Sequence, residues 1–150
     1  MSTRRYINTD FWKAGWIQEL DPSEKLLYNY LITSPSSNIA GIYKITIKTI
    51  SFHTCFNEDT VKKILVRFAK DRKAYLIKDY IIIPSLPKNQ NIESNTIRYG
   101  IKKIIKELPT ELISLLPNLK YSYNVKEITD ELKIPYGYMM HTLPIPSLYP

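Results

Sequence analysis

A chain of 150 residues and 17.6 kDa has room for one domain, or one domain with a short appendage, and excludes a large multidomain enzyme. Apolar residues make up 44% and charged residues 23%, close to globular usage, so a packed core is expected rather than a solvating disordered chain. Lys and Arg number 21 against 14 Asp and Glu, a net charge of +7, which favours a polyanionic partner, nucleic acid ahead of an anionic membrane surface. Cys55 stands alone and cannot close an intrachain disulfide, and with two histidines it falls short of a zinc set. Met1 to Asp10 has no apolar stretch behind Arg4 and Arg5, and eighteen uncharged apolar residues never run together. No signal peptide, no membrane span and a cytoplasmic setting are the expectations.

Along the chain, Phe11, Trp12, Trp16, Ile17 and Leu20 recur at near-helical spacing, interrupted by Gly15, and predict an aromatic helical face that clamps the amino end to the core. Thr9 or Asp10 is the expected cap. Asp21-Pro22-Ser23-Glu24 is a helix start with an N-cap, an early proline and a box-like acid three residues on. Leu26, Leu27, Tyr30 and Leu31 form that helix's stripe, and Ser34 to Asn38 end it. Ile39 to Tyr43 reads as a short strand in which Gly41 permits a close backbone approach. A brief helix from Thr46 through Ser51 follows, then a tight connection over His53 to Phe56, then Asn57 as N-cap.

The helix from Glu58 to Arg72 carries Val61, Ile64, Leu65, Phe68 and Ala69 on one face. At 100° per residue its opposite face holds Asp59, Lys63, Val66 and Lys70, flanked by Lys62, Arg67 and Lys73. Tyr75 to Ile77 and Tyr80 to Ile83, separated by Lys78-Asp79, predict an antiparallel hairpin with a weak turn signal, closed by Pro84 and Pro87. Ser94 caps a further helix through Ile97, Ile101, Ile104, Ile105 and Leu108, ended by Pro109, with a turn or two more from Glu111 to Leu116. After Pro117 tyrosines alternate with prolines and periodicity fades, so residues 118–150 read as a loose tail with a short helical piece from Val125 to Leu132.

The order helix, strand, helix, tight turn, helix, hairpin predicts an α+β fold: a winged helix-turn-helix with a three-helix core and a β-hairpin wing, plus an additional C-terminal helix and an extended tail. Residues 1–93 are expected to form that domain with its aromatic N-terminal extension. Residues 94–117 would pack on it, and 118–150 would be an extended partner-docking segment or ordinary disorder.

Between Thr60 and Lys78 seven basic residues face Asp71 alone, a net +6 of the chain's +7. That concentration points to duplex DNA, because basic side chains on a groove-sized helix neutralise phosphates and release counterions. Candidate DNA-binding residues are Asn57, Thr60, Lys62, Lys63, Val66, Arg67, Lys70 and Lys73 on or near the helix. Lys63 and Arg67 come first for base edges, and Val66 suits a thymine methyl. Lys78 is expected at the wing tip, and Arg4 and Arg5 as a flexible arm. Homodimerisation is the alternative use of the Ile97 to Leu108 stripe. Phosphate-loop, zinc-helix and nucleophile-elbow motifs do not occur, so neither an enzyme nor a cofactor or metal site is expected. A transcriptional regulator using the same helix, and a winged helix that binds acidic proteins instead of DNA, are the alternatives.

Phe11-Trp12 to Trp16, Pro22 to Tyr28, Asn38-Ile39-Ala40-Gly41-Ile42-Tyr43, Ile50-Ser51, and Asp79 to Ile83 followed by Lys88-Asn89-Gln90 resemble the amino-terminal domain of phage replisome organisers related to DnaD-type replication-initiation proteins. The resemblance spans roughly residues 4 to 109. It implies a winged-helix domain that binds double-stranded DNA at a replication origin and recruits the replicative helicase, directly or through a helicase loader.

Overall fold

A computed structural model describes residues 4–134. Among them the fold is α+β, with eight α-helices and one three-stranded antiparallel sheet. The amino end makes a 3-10 turn over Thr9–Lys13, capped by the Asn8 side chain, and a short α1 over Gly15–Glu19. The two are separated by extended backbone at Ala14, so the expected continuous aromatic helix is broken one residue before Gly15. Trp16 still does the clamping, packing edge-on against Tyr28 and Phe68, whereas Trp12 is 59% exposed.

Helix α2 (Pro22–Thr33) begins on a complete capping box: Asp21 accepts from the Glu24 backbone N–H, and Glu24 accepts from that of Asp21, each at 2.9 Å. Strand β1 (Ile42–Lys44) follows a turn organised by Asn38, whose amide donates to the Ile42 carbonyl at 2.7 Å. Gly41 has φ +70°, and a Cβ there would lie 2.9 Å from the Ile83 carbonyl oxygen, so the close approach expected of this glycine is present. Helices α3 (Ile47–Thr54) and α4 (Glu58–Lys70) then lead into strands β2 (Tyr75–Ile77) and β3 (Tyr80–Ile82). Helix α3 runs three residues beyond Ser51, which shortens the connection to Cys55, Phe56 and Asn57.

The sheet order is β1-β3-β2, with Ile42, Ile82 and Tyr75 in one row and Tyr43, Ile81 and Leu76 in the next. Because successive strand residues point to opposite faces, those rows feed two different cores. Tyr43, Leu76 and Ile81 pack with α2, α3 and α4 around Leu27, Leu31, Ile50, Leu65 and Phe68. Ile42, Tyr75, Ile77 and Ile82 pack on the opposite side with Ile101, Ile105, Leu112 and Ile113. These come from α6 (Asn95–Lys106) and α7 (Thr110–Leu115). A short α5 (Leu86–Asn89) precedes them, with Pro87 in its first turn where a missing N–H costs nothing.

The short helical piece expected from Val125 to Leu132 is present over Lys126–Leu132, and the segment between it and Pro117 is ordered where a loose tail is expected. A 3-10 turn over Leu116–Leu119 and helix α8 (Lys126–Leu132) put Leu119, Val125 and Ile128 into the second core. Residues on both sides of position 93 thus share one apolar cluster. The expected tail tyrosines 136, 138 and 149, with the prolines between them, lie outside the described residues. Among the described residues no helix is long and apolar enough to cross a membrane.

Candidate nucleic-acid interface

Helix α4 is set in place by the connection before it. Cys55 takes the left-handed conformation at φ 65°, and its N–H closes α3 onto the Ser51 carbonyl at 2.9 Å. Ser51 Oγ donates in turn to the Phe56 carbonyl. The chain then restarts as a helix within two residues, because the Asn57 side chain accepts from the Thr60 N–H at 2.8 Å. Five apolar side chains, Val61, Ile64, Leu65, Phe68 and Ala69, are buried. The complementary stripe is therefore turned to solvent: Asp59, Lys63, Val66 and Lys70 are exposed, with Lys62 half-buried beside them.

The basic residues gathered in sequence have three fates. Lys62, Lys63 and Lys70 make no ion pair among the described residues. Arg67 departs from its expected place on the groove-reading side. Its guanidinium turns onto α2, 2.7 Å from Glu24, and also reaches Asp71 at 3.5 Å. The Glu24 side chain is only 10% exposed, so Arg67 neutralises a nearly buried carboxylate, and leaving it for a base edge would strand that charge. Lys73 lies over the Trp16 indole at 5.4 Å, and the indole N–H donates to Asp71 at 2.8 Å. Both basic side chains flanking the stripe on that side thus tie the amino end and α2 to α4.

Lys78 does occupy the hairpin turn, paired with Glu111. Both side chains are more than half exposed, and a solvated pair of this kind holds weakly. The hairpin itself does not stand out as a free flap. Its strands are three residues long and covered on both faces, leaving its turn as the exposed part. Arg5 is not part of a flexible arm: its guanidinium donates to the Ser37 carbonyl. Tyr6 is fastened just after it by reciprocal bonds to the buried Gln90 side chain at 3.2 and 3.1 Å. The pinned stretch explains the difference, since Gln90 is 84 residues away and nothing local signals it. Arg4 is exposed.

Asn57 is spent as a cap, and Thr60 is half-buried next to it, so these two position the helix start more than they reach outward. One exposed cation of the same basic run is absent from the candidate set. Arg72 is exposed in the turn that ends α4, at φ 61°. Its place in the same basic run is the signal that finds it.

Elsewhere the surface is mixed in sign. A cleft of about 450 Å³ between α6 and the start of α8 is lined by Glu93 and Glu127 as well as Arg98. On α6, Lys102 and Lys106 are paired to Glu127 and Glu131, and those lysines hold the Glu131 carboxyl below its ordinary pKa. His53 is hydrogen-bonded through Nδ1 to the Tyr30 hydroxyl at 2.6 Å. Among the described residues no three His, Cys, Asp or Glu side chains gather as a metal site. Comparison of the chain with protein-family models, curated proteins and solved structures gives no significant match.

Proposed function

We propose that this chain binds double-stranded DNA as a winged helix-turn-helix protein, with the solvent side of α4 in the major groove. One observation carries this: Lys63, Val66 and Lys70 form an exposed stripe along a 13-residue helix, flanked by Lys62, and none of these lysines is spent on an internal acid. An α-helix fits the major groove, and unpaired ammonium groups along it displace condensed counterions. The chain order α2-β1-α3-α4-β2-β3 and the tight α3–α4 connection support the winged-helix assignment. Lys78 serves as the wing's phosphate contact by exchanging Glu111 for DNA.

The replication role rests on the resemblance carried by Asn38 to Tyr43 and Lys88 to Gln90. In this proposal the protein is a non-catalytic cytoplasmic replisome organiser at a phage-type origin, and its partners beyond DNA are a replicative helicase or helicase loader and a second copy of itself.

Duplex binding measured across a salt series tests the face directly. Replacing Lys62, Lys63 and Lys70 with alanine is expected to lower affinity by on the order of tenfold or more. The slope of log K against log salt should flatten by about 0.9 for each lysine that neutralised a phosphate. Thermal stability should largely hold, since Lys63 and Lys70 are exposed, Lys62 is half-buried without an ion pair, and surface substitutions of this kind usually stay within about 0.5 kcal/mol. Arg67→Ala is the contrasting variant, expected to lower the melting temperature because it strands Glu24. Unchanged binding and salt slope in the triple variant reject the α4 face.

A further inference from the structure

Asp59 is the one acid on the otherwise basic outer stripe of α4. It is exposed and makes no ion pair among the described residues, although Lys63 stands one turn further on. Glu58 and Asp59 both suit the positive end of the helix dipole, but at 100° per residue only Asp59 falls in line with Lys63, Val66 and Lys70. A carboxylate facing a polyanion lowers affinity everywhere along the duplex except where a base offers it a hydrogen to accept.

Building on the DNA-binding reading above, we infer that Asp59 is a specificity-determining residue that selects cytosine in the major groove by accepting a hydrogen bond from its N4 amino group. The four base edges differ in what they offer a carboxylate. Guanine presents two acceptors, N7 and O6, and thymine presents O4, so both repel it. Adenine offers N6–H but sets the N7 acceptor beside it. Cytosine offers N4–H between its C5 carbon and the paired guanine's O6, one neighbouring acceptor where adenine's N6–H has two, its own N7 and the paired thymine's O4. A contact that rejects three bases by repulsion and accepts one by a charge-assisted bond discriminates more than its net affinity suggests.

The next groups on the stripe extend the pattern. Lys63 lies about 6 Å further along the axis, within two base-pair steps of about 3.4 Å, and suits guanine O6 and N7. Val66 follows on the same line, 40% exposed, with the shape to meet a thymine methyl. The inferred target therefore contains a cytosine and a guanine no more than two base-pair steps apart, ahead of a thymine.

Selection of bound duplexes from a random pool, run with the full chain and its variants, tests this. The wild-type protein should enrich one fixed cytosine position, and replacing that cytosine with thymine should weaken binding about 5- to 150-fold. Asp59→Asn should change the preference there to adenine, which pairs two-fold with a carboxamide. Asp59→Ala should leave that position degenerate with the rest of the motif intact, and Glu58→Gln should leave the motif as in the wild type. An identical motif in Asp59→Asn and Asp59→Ala overturns the inference, as does an alanine variant that binds every duplex more tightly with no position relaxed. Salt-dependent duplex binding without any enriched motif overturns it while sparing the DNA-binding function; no duplex binding at all overturns both. Asp59→Asn is nearly isosteric and keeps the test decisive if the alanine variant folds poorly.

Discussion

Glu24 serves two partners with one carboxylate oxygen, accepting from the Asp21 backbone N–H at 2.9 Å and from Arg67 at 2.7 Å. The start of α2 and the orientation of α4 are coupled through it. Half of this was legible in sequence, because a capping box is written in four consecutive residues. The other half was not. A helical wheel places Arg67 only on a flank, and a long flexible side chain there turns toward whatever lies alongside, here an acid 43 positions earlier. Gly41 was legible for the opposite reason, since a residue without a Cβ declares a backbone approach whatever its partner.

Asp21 gives this residue scale a measurable signature. Its carboxyl is held below the ordinary aspartate pKa by the Ser23 hydroxyl, at 2.6 Å, and by the Glu24 N–H. A depressed native pKa means the unfolded chain binds its proton first, so the contribution is complete above the ordinary aspartate range and disappears as the pH falls through the lowered value. Asp21→Asn keeps an acceptor for the cap but has no charge to titrate. Denaturant melts should show it less stable than the wild type at neutral pH, with the gap closing once both are below the carboxylate range.

At the scale of single elements, α4 and α6 emerged from the sequence nearly intact because a one-faced apolar stripe with a side-chain cap defines a helix locally. The hairpin emerged too, but its turn is strained. Lys78 and Asp79 both have positive φ, at 51° and 66°, the conformation that a two-residue hairpin turn demands and that glycine and asparagine supply most readily. Asp79→Gly is therefore expected to stabilise the protein by about 1 kcal/mol, read as a rise in the denaturation midpoint at unchanged slope. No rise would mean that local hydrogen bonding already offsets the strain. The single amino-terminal helix that the aromatic spacing predicts is broken at Ala14, and α5 is not legible because Pro84 and Pro87 read as stops although Pro87 sits at a helix start.

For the molecule as a whole, the sequence under-reports how much of the chain is structure. Within residues 118–134 the helical piece from Val125 to Leu132 is legible, whereas residues 118–124 carry no helical or strand period. Leu119 is instead placed by a left-handed Lys120 and by long-range bonds. The Tyr121 hydroxyl donates to the Ala40 carbonyl, and the Ser122 N–H to that of Pro84 at 2.9 Å. Such contacts leave no local pattern to read. The proposed DNA face suffered in the same way: the stripe itself was legible, whereas which cations stay unpaired depended on partners supplied by distant segments.

The central position of β3 has a consequence for how the molecule opens. Its backbone is bonded to β1 on one edge and β2 on the other, and Ile81 and Ile82 point into opposite cores. Solvent deuterium reaches those amides only when both halves come apart together. Native-state exchange should then give Ile81, Ile82 and Ile83 the full protection of global unfolding, while α1 exchanges through local fraying. A markedly lower opening free energy at β3 than in the middle of α2 would mean that the two halves melt independently of the ribbon they share.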